Sequence, residues 1–326
     1  MRSTNFDKKY YEEIDILKGI AILIVILGHC LCTDPINLGQ HFPIMAKIIH
    51  SIQMPLFFVA SGFLFSVKGG FSTLIKKKSA RLLIPYICFG ILSASLRYIF
   101  SAFTRSGEVE ISTLLLKLLN GESYWFLYSL ILIMFIVQLI KNNALLHTVA
   151  LLCIALCLFT DICEINFLTL GKIVYYLPFF ILGMQTKKYY EIVLNTFERY
   201  KIMLVIAIPV LFIISLFVFT QFSFSQMFIS PLLGIMIVFW GSKAITRYAA
   251  IPIVKFLTHF GMYSLQYYLN HLLIMLPLYY IAGRINIVSP IIPLLFIFCC
   301  AVVISYIMLR IELSSKITRI FCGLGK

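Results

Sequence analysis

Apolar runs of about twenty residues, separated by short polar or basic stretches, recur along nearly the whole chain. A helix of that length crosses the roughly 30 Å hydrocarbon core of a bilayer. Ten such runs are read, at about 15–33, 43–67, 82–104, 123–141, 143–160, 171–187, 201–221, 227–246, 262–283 and 287–310. The expected fold class is therefore an all-α integral membrane protein with about ten transmembrane helices. Pro55, Pro85, Pro178, Pro209, Pro231 and Pro277 lie in or beside these runs and mark kinks with freed backbone carbonyls. No repeat, low-complexity linker or soluble stretch large enough for its own core interrupts the pattern. Residues 1–326 are read as a single membrane domain, with 311–326 as a short basic tail.

Composition agrees with the pattern: 61% of residues are hydrophobic and 12% charged, and the mean hydropathy is +0.98. Charge then orients the runs. With the amino terminus inside, one face receives 21 basic residues and the other 5, Arg97 lying within a run, of 27 in all. This positive-inside asymmetry places both termini in the cytoplasm. The net charge of +14 reports topology and contact with anionic membrane lipid, not nucleic-acid binding. The first run lacks a small-residue cleavage site and is read as a resident helix of a multi-pass protein of the plasma or inner membrane. Nine cysteines form no CxxC or Cys/His spacing, so neither a disulfide framework nor a metal site is expected.

Ionisable groups inside a bilayer are costly and persist where a cavity or a reaction needs them. In the first run Lys18 precedes His29 by eleven residues, and at roughly 100° per residue both fall on one helix face about 16 Å apart. Asp15 sits three residues before Lys18, close enough for an i,i+3 ion pair at the inner boundary. That lysine is either a snorkelling anchor or a group that meets an anion. In the second run Pro55 releases the Ser51 carbonyl, Ser61 with Gly62 permits close helix approach, and Gln53 needs a partner or faces a cavity.

Lys76, Lys77, Lys78 and Arg81 precede the third run, either as a positive-inside stop or as a cytoplasmic site for the phosphates of a nucleotide-type donor. Arg97 lies about fifteen residues into that run, where a permanent guanidinium is paired, snorkels, or stabilises an anion. Glu122-Ser-Tyr-Trp125 opens the fourth run at the outer face, with Trp125 a belt aromatic or a sugar-stacking platform. In the ninth run Ser264, Tyr267 or Tyr268, and His271 share one face; His271 is a catalytic or orienting group, or bonds across helices. His41, His50, His147 and His259 lie in loops or near run ends without a motif.

These residues together resemble a known family. Lys18 with ten residues before His29 resembles the basic-residue-x10-His motif of the acyltransferase family 3 membrane proteins. Gln53-Met-Pro-Leu-Phe-Phe-Val-Ala-Ser-Gly-Phe63, Arg81-Leu-Leu-Ile-Pro-Tyr86, Trp125-Phe-Leu127, Tyr176-Leu-Pro-Phe-Phe-Ile-Leu-Gly183 and Ser264 to His271 resemble its later landmarks, in order along nearly the whole chain. The subgroup it is most similar to is that of fucose 4-O-acetylase-type surface-glycan O-acetyltransferases. The resemblance implies transfer of an acyl group, usually acetyl from acetyl-CoA, onto a hydroxyl of a cell-surface or lipid-linked glycan. On it, Lys18, Lys78 and Arg81 face the cytoplasmic CoA, and His29 is the general base on the acceptor hydroxyl or briefly carries the acyl group. Arg97, Gln53 and His271 are its candidates for the oxyanion donor.

Two departures stand out. Many relatives have His-Met-Pro where this chain has Gln53-Met-Pro, which leaves hydrogen bonding but no titration at that position. Lys18 stands where many members have arginine, which weakens bidentate phosphate binding. With no appended esterase-like domain, the membrane unit is expected to do all the transfer chemistry without a metal. The competing class is a polytopic transporter or flippase for a glycan precursor, which intramembrane charges and kinked helices fit equally well.

Overall fold

The computed structural model describes residues 10–32, 38–66, 80–101, 111–122, 124–140, 142–218, 228–284 and 289–324. These residues form helices and no strand. In chain order the α-helices are α1 (Glu12–Cys32), α2 (Pro43–Leu64), α3 (Ala80–Ser101), α4 (Ile111–Leu119), α5 (Trp125–Leu139), α6 (Asn143–Phe159), α7 (Leu170–Lys188), α8 (Tyr190–Val218), α9 (Ile229–Ile245), α10 (Pro252–Met262), α11 (Ser264–Arg284), α12 (Ile291–Ser314) and α13 (Lys316–Phe321). Each of the ten apolar runs lies on one of them. Among the described residues, six stretches are long and apolar enough to cross a membrane: Glu12–Leu31, Pro43–Leu64, Phe167–Lys188, Tyr190–Val218, Ile229–Tyr248 and Ile291–Ser314. The protein is thus an all-helical integral membrane protein.

Two elements differ from the periodic reading. Residues 190–200, which lie between the sixth and seventh apolar runs, form the first turns of α8, bent at Tyr200. The ninth run is preceded by α10, whose Lys255, Thr258 and His259 lower its hydropathy below that of a span. A turn at Tyr263 joins α10 to α11.

α1 is the central helix and packs against α2, α9, α10, α11 and α12. Its apolar residues Ile16, Leu17, Ala21, Ile22 and Ile26 are fully buried, whereas α8 turns Ile202, Met203, Val205 and Ile206 outward, as a lipid-facing helix does. Small residues set the closest approaches. A Cβ on Gly19 would collide with the Leu257 carbonyl, and one on Gly261 with the Asp15 carbonyl, so α1 and α10 cross backbone to backbone. Gly62 and Gly183 do the same for α2 and α7, against the Phe180 and Val59 carbonyls. Near the start of α1, Glu13 is buried. The Tyr190 hydroxyl donates to its carboxylate and Lys243 lies 3.5 Å from it, which fastens α1 to α8 and α9.

Candidate functional site: an imidazole cluster on the central helix

The Gly19–Gly261 crossing fixes a register. Ten residues beyond each glycine comes a histidine, and the rings of His29 on α1 and His271 on α11 have centroids 5.2 Å apart with planes inclined at 48°. His271 is wholly buried and His29 half-buried. His271 Nδ1 lies 3.1 Å from the Tyr267 carbonyl. A carbonyl only accepts, so Nδ1 carries the proton and Nε2 the lone pair in the neutral ring. That Nε2 is buried and has no hydrogen-bond partner. The sequence singled out these two histidines separately, and the structure brings them together.

A third imidazole stands beside them. His50 on α2 lies within electrostatic reach of His29, and its Nδ1 is 3.1 Å from Gln53 Nε2. Gln53 Oε1 is buried without a hydrogen-bond partner and presses against α1 where a Cβ on Gly28 would sit. The apolar pattern gives His50 only as a residue near a run end. Its one signal was the i,i+3 spacing to Gln53, which puts both on one face of α2.

An aromatic chain links the cluster to Trp125. Tyr268 is 5.6 Å from His271 and 5.3 Å from Phe126; Phe126 meets Phe58 at 5.1 Å. Phe58 stacks on Tyr176 at 4.5 Å, and Tyr176 stacks on Trp125 at 5.4 Å. Lys172 lies over the Trp125 indole at 4.6 Å. Tyr176 and Lys172 thus both use the indole as a platform. Glu122 is exposed and accepts from Asn120 Nδ2 at 2.6 Å.

The cationic candidates are held separately. Lys18 Nζ is 2.7 Å from Asp15 at the base of α1, both largely shielded. Arg81 Nε donates to the Gly323 carbonyl at 3.0 Å, so this guanidinium ties α3 to the segment after α13. Ser61 is half-buried beside the Gly62–Gly183 contact. Lys78 and the side chain of Arg97 lie outside the described residues. Residues 316–324, expected as a tail, form α13 and a turn, and the Cys322 carbonyl accepts from Gln266 Nε2 at 2.7 Å.

Apolar helices packed around a cluster of imidazoles define a multi-pass membrane protein with titratable side chains in its interior. Residues 11–310 match the family model described as an acyltransferase domain, and the chain belongs to that family, acyltransferase family 3. It is also similar to the nodulation protein NolL of Sinorhizobium fredii (strain NBRC 101917 / NGR234), 30% identical over 203 residues, which are 58% of this chain and 52% of that protein. The match spans about half the length of that relative. No solved structure matches the chain.

Proposed function

We propose that the protein is a membrane O-acyltransferase that moves an acyl group, acetyl as the first choice, from cytoplasmic acyl-CoA to a hydroxyl of a cell-surface or lipid-linked glycan. The observation that carries this reading is the His29–His271 pair, 5.2 Å apart on α1 and α11, next to the α1–α10 crossing at Gly19 and Gly261. Membership of acyltransferase family 3 supports the reaction class. A neutral imidazole removes the hydroxyl proton as the oxygen attacks the thioester carbonyl. The C–S bond then breaks, and the CoA thiolate takes the proton back. Lys18 at the inner end of α1, with Arg81 and Lys78, would draw the donor phosphates toward the cytoplasmic face. Ten spans with both termini cytoplasmic complete the proposal, because the basic residues then fall 21 to 5.

The test is mass spectrometry of surface glycans from cells with the gene, without it, and with His29→Ala. We expect one acyl mass to vanish in the last two while the variant remains inserted at normal abundance, a rate loss of about 10²–10⁴-fold. Unchanged acylation in His29→Ala would sink the mechanism. Loss of the whole glycan from the surface, with acylation of the intracellular pool intact, would favour a transporter instead.

A further inference from the structure

We propose that His50 is the hydrogen-bond donor to the oxyanion in this site, fixed by Gln53 as the neutral Nε2–H tautomer. The proposal rests on the acyltransferase reading. Three contacts carry it. Gln53 Oε1 is buried without a hydrogen-bond partner and turned toward Gly28, where a Cβ would collide with it. The amide nitrogen therefore faces His50 Nδ1 at 3.1 Å. An NH₂ only donates, so Nδ1 offers its lone pair and the ring proton sits on Nε2. Gly28 is adjacent to His29 in the chain, which sets the Gln53–His50 pair beside the reacting centre.

His271 is fixed the other way: the Tyr267 carbonyl holds its proton at Nδ1 and leaves the lone pair on Nε2. His29 is thus flanked by one imidazole whose Nε2 accepts and one whose Nε2 donates. Acyl transfer needs both. When the acceptor O–H bond breaks and its oxygen bonds to the acyl carbon, the proton goes to an imidazole lone pair and the carbonyl π pair moves onto oxygen. The His50 Nε2–H meets that charge. Collapse re-forms C=O, breaks the C–S bond, and the leaving thiolate takes the proton. A neutral donor supplies this hydrogen bond without burying a cation, whose desolvation in an apolar site is expensive.

The experiment uses membrane vesicles holding the full chain and the cell's own glycans, with radiolabelled acetyl-CoA. His50→Phe and His50→Leu remove the donor; His50→Gln keeps an amide N–H. Abundance and melting temperature in detergent are measured for each. Expected are a fall in kcat of about 10²–10³-fold for the donor-less variants, an unchanged KM for acetyl-CoA, and His50→Gln within about tenfold of wild type. Donor-less variants that insert normally and work at wild-type rate would overturn the role of His50 and leave the acyltransferase reading intact. So would His50→Gln as inactive as His50→Phe. Vesicles in which wild type transfers no acetyl or longer acyl group from any CoA thioester would overturn both.

Discussion

Lys18 bonds to Asp15 at 2.7 Å, with only 17% and 13% of the two side chains exposed. A charge held so close to a carboxylate is already compensated, so a donor phosphate must compete for it rather than find it free. We predict that Lys18→Ala raises KM for acyl-CoA about tenfold, near the 1.4 kcal/mol that separates decades of affinity, with kcat unchanged. Lys18→Arg is expected to bind the donor at least as well, because the planar guanidinium engages phosphate bidentately. Steady-state rates at saturating acceptor check both, and a fall in kcat with constant KM would move Lys18 from donor binding to chemistry. Helical spacing alone made the Lys18–His29 stripe legible. His50 was not legible, because its tautomer depends on Gln53, and Gln53 on the missing side chain of Gly28 across the helix boundary. Trp125 was ambiguous in sequence for a similar reason, since what covers an indole comes from other helices.

At the scale of elements, hydrophobic period predicts helices well and their crossings poorly. Each apolar run sits on a helix because a chain in lipid must satisfy its backbone internally. The contact that aligns His29 with His271 is invisible in that pattern: it lies in α10, a short helix with polar residues, and depends on two glycines 242 positions apart. We predict that Gly261→Val, which drives a branched side chain into the Asp15 carbonyl, destabilises the protein by about 1–3 kcal/mol as overpacking does. It also separates the two imidazoles, so transfer should fall by more than the loss of folded protein accounts for. Melting temperature in detergent gives the first quantity and specific activity of the folded fraction the second. Gly241 is the control, since a Cβ there meets nothing within 4 Å. Gly241→Ala is expected to leave both unchanged.

For the whole molecule, distant parts of the chain converge on the segment after α13. Arg81 on α3 bonds the Gly323 carbonyl, Gln266 on α11 bonds the Cys322 carbonyl, and Thr318 Oγ1 donates to the Glu312 carbonyl at 2.9 Å. One short segment thereby ties α3, α11 and α12 together. Cys322 reports on that closure, being only 5% exposed. Burial, reinforced by the Glu312 carboxylate, pushes its thiol up to about 12. At pH 8 a group with that value is thiolate to about one part in 10⁴, against about a quarter for an ordinary cysteine. Maleimide should therefore leave Cys322 unmodified in native membranes at pH 8 and label it after denaturation, as peptide mass spectrometry resolves. Arg81→Ala removes the guanidinium tie without touching the cysteine, so labelling of Cys322 should rise many-fold in that variant. With a membrane-impermeant maleimide the label should enter from the cytoplasmic side, in inverted but not right-side-out vesicles, if 21 basic residues orient the chain as proposed. Labelling from the opposite side would reverse the topology and with it the direction of acyl transfer, while equal labelling of wild type and Arg81→Ala would show that the tie does not close this end of the molecule.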